Sequence, residues 1–138
     1  METTLTIIKP DAFGRGLTGR ILAHLEDEGF RIVAMRVMRL TEAQARAFYA
    51  VHAERPFYES LVRFMTSGPV APVLLARENA VAHLRKVIGA TDPAEAEPGT
   101  IRALYAESKE RNAIHASDAP ETAARERAFF FTEAEITG

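Results

Sequence analysis

Four short runs of β-branched and apolar residues punctuate this chain, and each is followed by residues patterned for helix. The runs are TLTII (4–8), FRIVAMRVMRL (30–40), VAPVLLA (70–76) and NAIHAS (112–117). Such residues suit a pleated, packed surface, so each run reads as a strand. From Thr18, the apolar residues Ile21, Leu22 and Leu25 recur at helical spacing until Gly29. Thr41 and Gln44 have the spacing of a capping box, and Ala45, Phe48 and Tyr49 supply the apolar side of the helix that follows. Pro56 suits the first turn of another helix, with Phe57, Leu61, Phe64 and Met65 at helical spacing before Ser67-Gly68. Asn79 reads as the N-cap of a helix that carries Val81, Leu84, Val87 and Ile88 and closes at Gly89. Asp118 and Pro120 open a last helix through PETAARERAFFF. This alternation predicts a mixed or antiparallel sheet with helices packed on one face.

Bulk properties narrow the function classes. A length of 138 residues suits one domain with a real core, and 47% apolar with 26% charged residues reads as globular. A net charge of −2 argues against nucleic acid as the main partner, while leaving room for a few cations placed around an anionic substrate. The absence of cysteine excludes disulfides, thiol catalysis and thiolate metal sites. No apolar run is long enough to span a membrane, and the N-terminus enters a strand pattern at once, so a cytoplasmic protein is expected.

GRGLTG (14–19) satisfies G-x-G-x-x-G, the phosphate-binding fingerprint of dinucleotide enzymes. Two things oppose that reading. Lys9-Pro10-Asp11 separates the strand from the first glycine, and the next strand offers MRVMRLT where an acidic residue should hold a ribose. The glycines read as a plain turn. The segment 90–112, with two prolines and little periodicity, is long for a loop in a compact domain, which points to a functional role.

His115 follows that segment, and strand alternation puts it on the same face as Ser117. Glu126, on the next helix, is placed to orient an imidazole, as a carboxylate does in nucleophile–base–orienter sets. His24 and His83 lie beside charges within helices and read as surface residues. Lys9, Arg55, Arg85 and Arg102, with Thr91 and Asn112, could converge on an anion, arginine being suited to bidentate phosphate contacts. Phe57 is either core, which its helical spacing favours, or a platform for a base. By themselves these residues leave His115 open between a structural and a catalytic role, and point no further than phosphate handling.

Longer stretches carry more. IIKPDA (7–12), HAERPFYESLVRFMTSGPV (52–70), ENAVAHLRKVIGATDP (78–93), PGTIR (98–102) and NAIHASDAPETAARE (112–126) resemble the nucleoside diphosphate kinase family. The resemblance covers nearly the whole chain, in order. It implies one kinase domain over 1–138 with an α+β, ferredoxin-like fold: a four-stranded antiparallel sheet (βαββαβ core) covered by helices. It implies ping-pong transfer of the γ-phosphate of ATP, or another nucleoside triphosphate, to nucleoside diphosphates through a phosphohistidine. His115 then matches the nucleophile, Glu126 holds its ring, and Ser117 lies beside them. Lys9, Arg85, Thr91, Arg102 and Asn112 match the nucleotide-binding positions, and Phe57 the aromatic on which the base stacks. Tyr49, His52, Arg55 and Leu61 match positions lining the pocket. Mg²⁺ is implied through the nucleotide phosphates, with no dedicated protein cage, and the implied assembly is a homo-oligomer, a tetramer or hexamer built of dimers.

Ala116 and Ala119 stand where the family commonly has glycine and serine, and Lys109 where some members are apolar. A ferredoxin-like nucleotide or nucleic-acid binding module without catalysis is the competing reading. It would keep the basic and aromatic residues but has no need of His115 with Ser117 and Glu126.

Overall fold

The computed structural model describes residues 1–137. Its four strands are β1 (Glu2–Ile8), β2 (Arg31–Met35), β3 (Ala71–Arg77) and β4 (Ile114–Ala116). They form one sheet in the order β2-β3-β1-β4, and every neighbouring pair is antiparallel. The helices in chain order are α1 (Pro10–Gly14), α2 (Thr18–Asp27), α3 (Glu42–Phe48), α4 (Tyr58–Met65), α5 (Ala80–Ile88), α6 (Ile101–Tyr105) and α7 (Pro120–Phe130). This is the expected α+β, ferredoxin-like arrangement.

Helices cover both faces of the sheet, however, and not one. β1 and β3 are the two central strands, and their side chains are buried on both alternations, so neither face can be left to water. Leu5, Ile7 and Leu74 enter a core with Phe48, Val62 and Met65 from α3 and α4 and Phe130 from α7. Ile8, Val73 and Leu75 enter a second core with Ile21, Leu25, Leu84, Ile88 and Ile101 from α2, α5 and α6. Each fully buried Leu or Ile side chain is worth about 1.5–3 kcal/mol by removal from water.

β2 is shorter than its apolar run. A bulge between Ile32 and Ala34 disturbs its pairing with β3, and beyond Met35 the ladder thins to a bond from the Arg36 N–H to the Pro72 carbonyl at 3.1 Å and an isolated bridge from Met38 to Val70. In this edge strand Met35 is exposed, and so is Val37 just beyond it. His83 is not a simple surface residue either: it is half-buried, with Nε2 2.9 Å from Glu28 Oε1 and its ring against Phe30.

Helix boundaries follow local chemistry with two exceptions. The Thr41–Gln44 capping box is formed as expected. Asn79, in contrast, sits at φ +55° and makes no side-chain cap, because a capping side chain works from extended backbone. Glu2 caps α5 instead, accepting from the Val81 N–H at 2.7 Å. Pro56 falls in the turn before α4, which starts at Tyr58.

The glycine motif turns a corner: Gly14 ends α1, Gly16 takes φ +72°, and Gly19 lies inside α2. Gly89 does more. It ends α5 at φ +88°, and a Cβ there would lie 2.5 Å from Thr100 Oγ1 and 2.8 Å from Thr100 Cβ. Gly89→Ala is therefore expected to destabilise the fold by about 1–3 kcal/mol, from strain at positive φ and overpacking, read as a lower midpoint in thermal or urea unfolding.

Candidate active site

The end of β1 and the short strand β4 lie side by side, with Ile7 opposite His115 and Ile8 opposite Ile114. The pairing fixes His115 between the middle of the sheet and α7. Its Nε2 is 2.9 Å from Glu126 Oε1, and the same oxygen accepts from Ser117 Oγ at 2.7 Å. An ionised carboxylate only accepts, so Nε2 carries the proton and donates it. Nδ1 is then the basic nitrogen, and it has no hydrogen-bonding partner in the protein among the described residues. Phe48 and Tyr49 present edges to the imidazole at centroid distances of 5.4 and 6.1 Å, which limits its rotation.

Burial sets the electrostatics. Desolvation pulls the His115 pKa below the ordinary imidazole value; Glu126 opposes this, and Lys9 and Arg102 add to it. For Glu126, burial alone would raise the carboxyl. Its bonds to His115 and Ser117 and the nearby Arg125 outweigh that and hold it below the usual carboxylate range. The result is a neutral imidazole held against a charged carboxylate, with a free lone pair at Nδ1.

His115 opens on a cleft of two adjoining lobes that share Tyr49, His52, Thr91, Arg102 and His115. One lobe, about 370 Å³, adds Phe48, Arg85, Asp118, Thr122, Arg125 and Glu126. The other, about 450 Å³, adds Lys9, Phe57, Leu61, Lys109, Glu110 and Asn112. Both volumes are in the range of small-molecule sites.

Lys9, Arg85, Arg102 and Lys109 line this cleft with no carboxylate at ion-pair distance among the described residues. Lys9 donates to Asn112 Oδ1 at 2.8 Å, and Asn112 Nδ2 donates to the Lys109 carbonyl at 3.0 Å. Arg102 donates to the carbonyls of Gly89 at 3.1 Å and Ile114 at 2.8 Å, and its buried Nε has no partner. Arg85 reaches the Ala116 carbonyl at 3.4 Å. Burial, then the charge of Arg102, lowers the Lys9 pKa to about 8, and burial, then Arg85, lowers that of Arg102 to about 10. The charges of Asp11 and Glu110 offset only part of this at Lys9; buried positive charge left unpaired is costly, and an anionic ligand would relieve it.

Most of the residues expected from the sequence converge here. Lys9, Tyr49, His52, Phe57, Leu61, Arg85, Thr91, Arg102, Asn112, His115 and Glu126 line the cleft. Ser117 lies behind the wall, fully buried against Glu126. Arg55 is exposed in the turn before α4 and lines neither lobe. Phe57 is 46% exposed and not core, because it precedes the first turn of α4 and faces the cleft. Phe48, Asp118, Thr122, Arg125 and Glu110 are lining residues that the sequence reading did not single out. Phe48 shares its helical spacing with true core residues, and Asp118 read only as a helix opener.

A sequence model described as nucleoside diphosphate kinase matches residues 2–136. The chain is 57% identical to the nucleoside diphosphate kinase of Desulfatibacillum aliphaticivorans over the full length of both. It is 59% identical to that of Dinoroseobacter shibae, covering 100% of this chain and 99% of the other. Among solved structures, the Aquifex aeolicus nucleoside diphosphate kinase superposes with a TM-score of 0.97 at 47% identity, over 99% of each chain. The halophilic enzyme of Halobacterium salinarum, solved in complex with CDP, gives 0.96 at 40% identity, over 99% of this chain and 91% of the other. Sequence, fold and a histidine in a cation-lined cleft agree: the chain belongs to the nucleoside diphosphate kinase family, whose members are phosphotransferases.

Proposed function

We propose that this chain transfers the γ-phosphate of ATP, or another nucleoside triphosphate, to nucleoside diphosphates by a ping-pong route through phosphorylated His115. One observation carries this: Nε2 of His115 is committed to Glu126 while Nδ1 is unpartnered in a ring that lines both lobes of the cleft. Nδ1 attacks the γ-phosphorus, the bond to the β,γ-bridging oxygen breaks, and the nucleoside diphosphate leaves. Attack builds positive charge on the ring, and Glu126, held by Ser117, stabilises it while Nε2 keeps its proton. A β-phosphate oxygen of the second diphosphate then attacks phosphorus, and the P–N bond breaks to return neutral His115. The phosphoramidate stays reactive, so both half-reactions can run in one site.

Lys9, Arg85 and Arg102, with Thr91 and Asn112, neutralise and position the phosphates, which is most of what phosphoryl transfer asks of a protein. The donor set also fits Mg²⁺ brought in on the nucleotide, since Asp118 offers one carboxylate beside these cations and the phosphates and water supply the remaining ligands. When bound, the ion neutralises phosphate charge. Tyr49, His52 and Leu61 complete the wall, and Arg55 follows His52 in the turn that leads to Phe57. The exchange belongs to the cytoplasm, within a single 1–138 domain. The exposed apolar side chains of Met35, in the edge strand β2, and of Val37 just beyond it favour a homo-oligomer of dimers, a tetramer or hexamer. No helix among the described residues is long and apolar enough to cross a membrane.

Initial rates with donor and acceptor both varied test the route. Parallel double-reciprocal lines are expected, and intersecting lines would mean direct transfer in a ternary complex. Phe57, half-exposed beside Leu61, gives the base a face and few edge contacts. Phe57→Ala should raise KM roughly tenfold for adenine, guanine, cytosine and uracil diphosphates alike. A loss confined to one base would contradict stacking.

A further inference from the structure

We infer that Asp11 is a positioning residue for phosphoryl transfer, its buried carboxylate clamping a strained turn at Ala113 that holds Asn112 and His115 in place. Ala113 has φ +75°, and the Ile114 N–H donates to the Asn112 carbonyl at 2.9 Å. That i to i+2 bond at positive φ is a γ-turn of the rare, strained hand, and alanine carries the Cβ that makes it costly. The conformation persists because both polar groups of Ala113 are held from outside the turn. Its N–H donates to Asp11 Oδ2 at 3.0 Å, and its carbonyl accepts from the Lys9 N–H at 2.9 Å.

The clamp lies 102 residues away in sequence. Asp11 is 4% exposed, its Oδ1 has no partner, and the bond to Ala113 is the one hydrogen bond its carboxylate accepts among the described residues. The charge of Asp11 also acts on the nearby Lys9 ammonium, so the buried carboxylate serves the cleft on two sides, and strained backbone of this kind gathers at functional sites. What the turn aligns is specific. On one side it sets Asn112 Oδ1 against Lys9 Nζ at 2.8 Å. On the other it starts β4, where Arg102 holds the Ile114 carbonyl and His115 pairs with Ile7. Released from Asp11, Ala113 relaxes to negative φ, and both neighbours shift relative to the phosphate cations.

This rests on the phosphohistidine reading, and the test separates the two. The rate of His115 labelling by γ-labelled ATP in a single turnover, KM for ADP and the thermal midpoint are measured for Asp11→Ala, Asp11→Asn and Asp11→Ala with Ala113→Gly. Asp11→Ala should label on the order of 10- to 100-fold more slowly, as for a small misplacement of reacting groups, with KM changed little. Asp11→Asn, whose amide oxygen accepts the same bond, should stay within a few-fold of wild type. Adding Ala113→Gly should recover most of the loss, because glycine adopts positive φ without the Cβ penalty. The inference is overturned if Asp11→Ala labels at the wild-type rate, if Asp11→Asn falls as far as Asp11→Ala, or if glycine gives no rescue. Should Asp11→Ala not fold, the double variant decides: brisk labelling supports the clamp, and a folded but slow protein overturns it. Wild-type protein that takes no label would overturn the phosphohistidine reading itself.

Discussion

His115→Ala is expected to remove turnover, a loss on the order of 10⁴-fold or more, while nucleotide still binds. Among the described residues, the substitution deletes the one group in the cleft with an unpartnered basic nitrogen held ready by a carboxylate. The cations that would meet the phosphates do not depend on the imidazole. Lys9 is held by Asn112, and Arg102 by backbone carbonyls of Gly89 and Ile114. The dissociation constant for ADP, from calorimetry, should therefore change by no more than a few-fold. A variant with normal turnover would refute the role given to His115, and one that lost binding equally would make His115 a structural residue.

Glu126→Ala should cost on the order of 10³-fold in kcat, comparable to losing the group that fixes the tautomer and charge of a catalytic imidazole. Ser117 would lose its shorter acceptor, keeping only the Leu5 carbonyl at 3.4 Å, and Nε2–H its partner in one step. The pH profile carries a second, independent readout. Attack needs neutral imidazole, so activity rises with pH through the His115 pKa, which burial already holds below the ordinary value. Glu126 is what pulls that pKa upward, against burial and the charges of Lys9 and Arg102. Without Glu126 the pKa falls further, and the acid limb of kcat/KM should move to lower pH. A shift to higher pH would contradict the electrostatics described for the site.

Features set by short-range patterning were legible in the sequence. The Thr41–Gln44 box, the run of β3 and the closure of α5 at Gly89 depend on residues a few positions apart. The trio of His115, Ser117 and Glu126 was also within reach, since strand alternation and one following helix suffice to bring it together. What stayed hidden was decided by distant contacts. Nothing near Asn79 signals that Glu2 caps α5 in its place. Nothing near Lys9 says that its stem is buried beside Asn112, or that Asp11 holds the backbone of Ala113. Phe57 kept the spacing of a core residue yet stands just outside the first turn of α4, where the same period points into the cleft. The one-face expectation failed because two central strands carry apolar side chains on both alternations. That pattern is visible in LTII and APVLLA, although without the strand order it does not say which runs are central.

Incubation of the protein with γ-labelled ATP and Mg²⁺, without an acceptor, bears on the covalent route more directly than any variant. Acid-labile, alkali-stable label that maps to His115 and leaves on addition of any nucleoside diphosphate is the expected result. Nucleotide bound at the cleft with no label on the protein would contradict it, and would leave the chain a nucleotide binder whose histidine does not react.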